Sequence, residues 1–412
     1  MFASRAAVAL ALLASLPGVA RAQWTRVADV PATEVGAVYA SGGTLYAGAL
    51  DAVYVSRDGG TTWTRSAPLP GDLDGVWALA VHAGRLFAGS YGGVLESTND
   101  GATWVRRDAG LTNPGARQIT AFAVHEGFLY AGTSGEGVYR LNLAASSPVW
   151  QPFSNGLPGN IDAVFGTGGL LVAGGSANGY VFRCEMGGAC WTEHRFVAFD
   201  ANGPRMWALT ETGSVLLGGS SHGLFRSTDR GRTWTRFNPG VGLLDDVSFG
   251  TDGPRVYALA SRAAGGTYVS ISDDGGLTWP LLERLPGAFT YSASVHAGRL
   301  FAGRFDGLWV RPLASTPADA LPATSGVRLL PAAPEPFVTT TRLTYELDAP
   351  GEVELAVFDV TGRHVATLDH GVRTPGRHEV VWTPEHLPAG VYVVRLTAGG
   401  HRVTRLIHHV NL

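Results

Sequence analysis

The chain has 412 residues with 31 basic and 34 acidic side chains, and every basic one is Arg, which excludes a Lys nucleophile, a Schiff base and a P-loop. A net charge of −3 does not provide the basic stripe of a general nucleic-acid binder. With 56 Gly and only 16% charged residues, the composition points to an all-β chain of short strands and tight turns, and no motif implies a cofactor.

The N-terminus reads as a secretory signal over residues 1–22. Arg5 supplies the positive start, Ala6 to Leu16 is apolar, and Ala20-Arg21-Ala22 is an A-x-A cleavage box, so removal after Ala22 is expected. The apolar run is shorter than the ~20 residues of a membrane span; a short membrane anchor is the alternative. Nothing later in the chain approaches that length, so the mature protein is expected to carry no membrane span. Loss of Arg5 and Arg21 leaves 29 basic against 34 acidic side chains, a net charge of −5.

Next comes a repeat. The phrase Leu-aromatic-Ala-Gly, with variants, begins at Leu45, Leu86, Leu129, Leu171, Leu216, Val256 and Leu300, at spacings of 41, 43, 42, 45, 40 and 44 residues. A unit of that size holds the four short strands of one propeller blade. In the second unit the strands are predicted at Val76 to His82, Leu86 to Gly89, Gly93 to Ser97 and from Trp104 to Arg106. The first of these is apolar nearly throughout and suits the innermost position. The last unit stops after Arg311 without its outer strand, whereas the mature chain begins with Trp24-Thr25-Arg26, the missing piece. Pairing the two ends closes the ring and removes an orphan edge. A seven-bladed β-propeller over residues 23–312 is therefore expected. A lone closed ring needs no partner subunit, so a monomer is expected too.

Between the third and fourth strands lies an S-x-D-x-G-x-T-W pattern. It is complete at Ser56, Asp58, Gly60, Thr62 and Trp63, at Ser227, Asp229, Gly231, Thr233 and Trp234, and at Ser272, Asp274, Gly276, Thr278 and Trp279. The copy at Ser97, Asn99, Gly101, Thr103 and Trp104 replaces Asp by Asn. These segments resemble the Asp-box, or BNR, repeat of sialidase-like propellers, over roughly residues 24 to 312. Asp accepts backbone N–H bonds, Gly takes a backbone conformation other residues resist, and Trp anchors the hairpin. The resemblance implies peripheral, structural boxes; calcium binding at them is the functional alternative. Cys184 and Cys190 fall on the Ser and Thr positions of a degenerate box in which Met186 replaces Asp, and Trp191 follows. They are the only cysteines, and a disulfide is expected in an exported chain. A metal site with Glu193 and His194 is the alternative.

Residues 313–326, rich in Pro, Ala, Ser and Thr, read as a linker. After it, strands are predicted at Leu343–Leu347, Val353–Asp359, Glu379–Trp382, Val391–Leu396 and Val403–Val410. Pro334-Glu335-Pro336-Phe337, Asp359-Val360-Thr361-Gly362-Arg363 and Gly390-Val391-Tyr392 resemble the type IX secretion sorting domain, which has the Ig-like sandwich of flagellar hook-capping proteins. That family has Asn where this chain has Glu335. The resemblance, over residues 327–412, implies export to the medium or the outer surface and the type IX machinery as a partner. A plain Ig-like spacer is the alternative.

Ligand-face candidates come from two sets of loops. Those leading into the inner strands contribute Asp72, Asp74, Trp77, Arg117, Asp162, Arg205, Trp207, Asp245, Asp246 and Tyr291. Those between second and third strands contribute Asp51, Tyr91, Glu136, Asn178, His222, Arg262 and Asp306. Carboxylates, arginines and aromatics suit a carbohydrate or peptide ligand. Two functions follow: a non-catalytic binding propeller, or a sialidase-like or xyloglucanase-like glycoside hydrolase. A hydrolase needs two carboxyls roughly 5 to 9 Å apart, with Asp51, Asp72, Asp74, Asp162 and Asp246 as candidates. A sialidase would also need an Arg cluster and an Arg-Ile-Pro phrase, and that phrase is absent. The repeat also resembles photosystem-assembly propellers, a reading that the export signal opposes. His82, His125 and His296 share one repeat position beside a turn, so a turn-capping role is expected rather than a triad.

Overall fold

The computed structural model describes residues 23–410 apart from 32, 71–72, 176–178, 187–189, 196–204, 238–243, 263–265, 286, 288, 314–326, 331, 335–336, 360–363, 385–386, 389 and 400. The signal segment, all but Leu313 of the expected linker, Asp72, Asn178, Glu335-Pro336 and most of the Asp359–Arg363 turn lie outside the described residues.

The strands run in chain order. β1 (Thr25–Arg26) is followed by a first sheet of β2 (Val35–Ser41), β3 (Thr44–Ala49), β4 (Val53–Ser56) and β5 (Thr64–Arg65). The second sheet is β6 (Ala78–His82), β7 (Arg85–Ser90), β8 (Gly93–Ser97) and β9 (Val105–Arg106). One helical turn, α1 (Pro114–Arg117), capped by the Asn113 side chain, precedes the third sheet. That sheet is β10 (Ile119–His125), β11 (Phe128–Thr133), β12 (Gly137–Asn142) and β13 (Gln151–Pro152). The fourth holds β14 (Ile161–Thr167), β15 (Leu170–Gly175), β16 (Tyr180–Glu185) and β17 (Thr192–Arg195). The fifth holds β18 (Met206–Thr212), β19 (Val215–Ser220), β20 (Gly223–Ser227) and β21 (Thr235–Phe237). The sixth holds β22 (Asp246–Asp252), β23 (Arg255–Arg262), β24 (Gly266–Ser272) and β25 (Leu281–Leu285). The seventh joins β26 (Thr290–His296), β27 (Arg299–Arg304) and β28 (Gly307–Pro312) to β1, with Thr25 opposite Val310 and Arg26 opposite Trp309.

First strands of neighbouring sheets touch all the way round, including β26 against β2. Apolar cores lie in the seams between sheets; in the closing seam Phe301 and Leu308 pack with Val35, Leu45 and Tyr54. The repeated Gly of the second strands has a steric cause. A Cβ on Gly48, Gly89, Gly174 or Gly219 would lie 2.5, 2.5, 2.6 or 2.3 Å from Val76, Ile119, Met206 or Val247 of the next sheet. In the sixth unit, where Leu259 stands at the Gly position, the next first strand opens with Thr290.

The boxes tie the rim. Ser56 Oγ donates to Asp58 Oδ1 (2.8 Å) and accepts from the Gly60 amide (2.9 Å). Asp58 accepts from the Thr62 amide and hydroxyl at 2.9 and 2.7 Å, and Trp63 Nε1 donates to the Gly60 carbonyl at 3.2 Å. The Ser227 and Ser272 boxes repeat this set. Each also receives an Arg from the preceding sheet: Arg299 Nη1 to the Gly59 carbonyl (3.4 Å), Arg183 Nε to Arg230 (2.6 Å) and Arg226 Nε to Gly275 (2.7 Å).

Burial works to raise the Asp229 carboxyl, but hydrogen bonds from Thr233 and Ser227 outweigh it and hold the group at about 2. A carboxyl depressed by folding adds stability above the ordinary carboxylate range, and that stability is lost as pH falls toward 2. At the Asn99 box, Oδ1 accepts from the Thr103 amide (2.9 Å) while Nδ2 donates to the Thr103 hydroxyl (3.0 Å), so an amide fits the same turn. Asp229→Asn should therefore leave stability near pH 7 almost unchanged and flatten part of the loss between pH 4 and 2. Melting curves across that range check it; an unchanged acid limb would count against Asp229 as a source.

Cys184 and Cys190 form a disulfide across the degenerate box. Closing so short a loop stabilises by about 2 kcal/mol in the chain-entropy model. Replacing Cys184 by Ser and Cys190 by Thr restores the repeat residues at those positions. The variant should melt lower by that amount and no longer respond to reductant. Equal melting of oxidised and reduced wild-type protein would refute the staple.

Where the Asp turn is lost, the Trp bonds outward instead. Trp191 Nε1 donates to the Phe153 carbonyl and Trp150 Nε1 to Arg107, both at 2.6 Å and both in the preceding sheet. Trp150 marks a further degenerate box in the third sheet.

The C-terminal part has two antiparallel sheets. β29 (Val327–Leu329), β30 (Thr341–Leu347) and β33 (Gly376–Trp382) form one. The other runs in the order β32 (His364–Arg373), β31 (Gly351–Asp359), β34 (Gly390–Ala398) and β35 (His401–His409). Their facing sides share a core that includes Phe337, Leu343, Tyr345, Leu355, Trp382, Val394 and Ile407. The five strands expected from sequence lie in β30, β31, β33, β34 and β35. β29 and β32 were not anticipated: the first is three residues long, and the second is a half-exposed edge strand without an alternating pattern.

Candidate functional site

The first strands surround a central cavity of about 260 Å³, lined from all seven sheets. At one end it widens into a mouth of about 470 Å³. A single backbone device supplies much of the lining. In five sheets the first strand carries a bulge, so that Gly36, Thr120, Asp162, Trp207 or Tyr291 is the extra residue without a ladder partner. All five line both cavities. Trp77 just ahead of β6 and Asp246 at the start of β22 complete the circle at the mouth. Bulges re-aim side chains in this way at functional sites.

Aromatic rings occupy one side. Trp77 stacks on Tyr91, with centroids 5.3 Å apart and planes at 16°, and meets Tyr291 edge-on at 5.7 Å. Its Nε1 donates to the Asp74 carbonyl at 2.7 Å, which fixes the ring. Burial, then a hydrogen bond to Glu34, pushes the Tyr291 hydroxyl well above the usual tyrosine range. Phe289 and Glu34 also line the mouth.

The other side is charged. Arg205 donates Nε and Nη2 to the two Asp162 oxygens, both at 2.7 Å, and its guanidinium lies 3.9 Å from the Trp207 ring centre. Asp162 is nine-tenths buried, so its bidentate pair is held in place. Asp245 and Asp246 follow in the next sheet. Burial pushes the Asp246 carboxyl well above its ordinary range, against the opposing effects of the Val247 amide and Arg205.

Of the residues anticipated from sequence, the mouth gathers Trp77, Tyr91, Asp162, Arg205, Trp207, Asp245, Asp246 and Tyr291. The others have different surroundings. Asp51 pairs with Arg65 at 2.8 Å. Arg117 donates to the Leu111 carbonyl at 3.0 Å, and Glu136 is exposed. His222 Nδ1 lies 2.9 Å from Ser221 Oγ. Asp306 accepts from Trp309 Nε1 at 3.0 Å, and Arg262 ends β23. Glu34 and Phe289 were missed, although they precede β2 and β26 just as Arg205 precedes β18. Applying the same rule to the first and last units would have found them.

His82, His125 and His296 end the first strands of three different sheets. The His125 ring packs where a Cβ on Gly166 of the next sheet would lie, and its Nε2 is 3.8 Å from Glu126. For His125 this is a contact between sheets, not a turn cap.

The BNR/Asp-box repeat family matches residues 54–65. No curated protein matches the chain. Among solved structures, YCF48 bound to D1 peptide is similar with a TM-score of 0.55 and 17% identity over 72% of this chain and 97% of that one. A chain of the mitotic checkpoint complex gives 0.55 and 12%, over 76% and 99%. The extracellular domain of the two-component system BT4673 from B. thetaiotaomicron gives 0.52 and 10%; 95% of this chain spans 58% of that one. These likenesses show a β-propeller-like fold. Among the described residues no helix is long and apolar enough to cross a membrane.

Proposed function

We propose that this is an exported, non-catalytic binding protein: a seven-bladed propeller over residues 23–312 that takes a carbohydrate or protein ligand at its mouth. Residues 313–326 are its linker, and residues 327–412 an Ig-like sorting domain that engages type IX secretion machinery. The mouth carries this reading. It combines rings from Trp77, Tyr91, Trp207 and Tyr291 with a few fixed polar groups, the composition of a binding site. The disulfide supports an oxidising compartment. The box carboxylates are committed to their own turns, which supports a structural role for them.

Glycoside hydrolysis is the second reading, favoured by one observation: burial raises the Asp246 carboxyl near the Arg-held Asp162. Mature protein is to be screened on glycan and peptide arrays and against a polysaccharide panel. Binding without turnover, lost in Tyr91→Ala, is the expected result. Turnover abolished by Asp246→Asn or Asp162→Asn would make the protein a hydrolase. Silence on every array would overturn the binding reading.

A further inference from the structure

The chemistry of the mouth narrows the ligand. Among the described residues lining it, Arg205 is the one basic side chain, and Asp162 takes both of its bonds. Glu34 and Asp245 add further carboxyls, so an anionic ligand meets unfavourable charge. Glu34 lines the mouth together with Tyr291, which meets the ring of Trp77. A carboxylate beside stacked aromatic faces is the arrangement that holds a cation. The same mouth already contains an example, the Arg205 guanidinium over Trp207.

A second feature adjoins this one. Leu50, Tyr91 and Phe305 are 39%, 42% and 59% exposed, and each sits between the second and third strands of one of three adjacent sheets. Tyr91 lines the mouth, Leu50 lies against Gly75 beside Trp77, and the Phe305 amide donates to the carbonyl of Phe289, a mouth residue. An apolar crescent thus borders the acidic opening on one side.

We propose that the mouth seats the cationic side chain of an Arg- or Lys-bearing peptide, between the Trp77–Tyr91–Tyr291 wall and the Glu34 carboxyl, with a neighbouring apolar residue of the peptide on the crescent. The proposal rests on the binding reading and specifies its ligand. A neutral sugar would use the rings but leave the carboxyl excess without a role.

The test uses the full mature chain and four fluorescein-labelled hexapeptides, identical except for a central Arg, Lys, Gln or Glu between two Leu residues. Fluorescence anisotropy should show the Arg and Lys peptides binding about tenfold or more tighter than the Gln and Glu peptides. Raising the salt should weaken only the first two. Glu34→Gln should lower Arg-peptide affinity by about fivefold or more. Equal binding of all four peptides, binding indifferent to Glu34→Gln, or no peptide binding overturns the proposal. Tyr91→Ala, at a half-exposed ring, separates this from failure of the binding reading. If neutral cello- or xylo-oligosaccharides bind and Tyr91→Ala abolishes that binding while the peptides fail, the mouth is a binding site and the cation proposal is wrong. If no probe responds to Tyr91→Ala, both fall.

Discussion

Trp150→Ala should cost about 3–5 kcal/mol of folding stability, the range for truncating a fully buried Trp. Trp150 is 2% exposed and packs in the seam between the second and third sheets with Phe87, Leu111, Ile119 and Tyr139. Its ring lies parallel to Phe122, and its Nε1 bonds the Arg107 carbonyl at 2.6 Å. Truncation opens a cavity in the seam and strands that carbonyl. Trp150→Phe keeps a ring but removes the donor, so it should cost about 1–3 kcal/mol, the penalty of an unsatisfied buried acceptor. Urea unfolding read by circular dichroism should show a lower midpoint with an unchanged slope. A loss below about 1 kcal/mol for the Ala variant would mean that the degenerate box does not hold this seam.

Gly60→Ala should cost about 2–4 kcal/mol, combining overpacking with left-handed backbone strain. Gly60 has φ of 88°, and a Cβ there would lie 2.3 Å from Cζ of Phe301. Phe301 belongs to the closing sheet and is fully buried, so it has little room to yield. Gly43→Ala isolates the backbone component, because Gly43 has φ of 86° and nothing within 4 Å of an added Cβ. The difference between the two variants measures the steric contact across the closing seam. Equal losses would show that the first box does not press on Phe301.

The repeat was legible because each sheet reuses one solution to one packing problem. The phrases starting at Leu45, Leu86, Leu129, Leu171, Leu216, Val256 and Leu300 all fall on second strands, where a small residue admits the next sheet. The pairing of β1 with β28 was legible from the incomplete last unit. The third-sheet box at Trp150 was hidden because neither Ser-x-Asp nor Gly-x-Thr survives there. Its one remaining signal was the Trp itself, 21 residues after Leu129, where the boxes at Ser56, Ser97 and Ser227 place it 18 residues after the corresponding Leu. β32 was hidden because an exposed edge strand has no pressure toward alternation.

The candidate site divides in the same way. The amino-acid sequence by itself determined a family of equivalent positions: Gly36, Trp77, Thr120, Asp162, Trp207 and Tyr291 differ while the residues around them repeat. Repetition reflects packing, and a varying position within it is free of that duty. Only the tertiary structure decided that these positions converge on one axis, because an added residue in a first strand turns its side chain out of the ladder. It also decided that Asp162 belongs to Arg205 and that Tyr291 meets Glu34, partners 43 and 257 residues apart in sequence. Such pairings depend on how far each sheet is turned around the ring, a property of all the seams together and of no single unit.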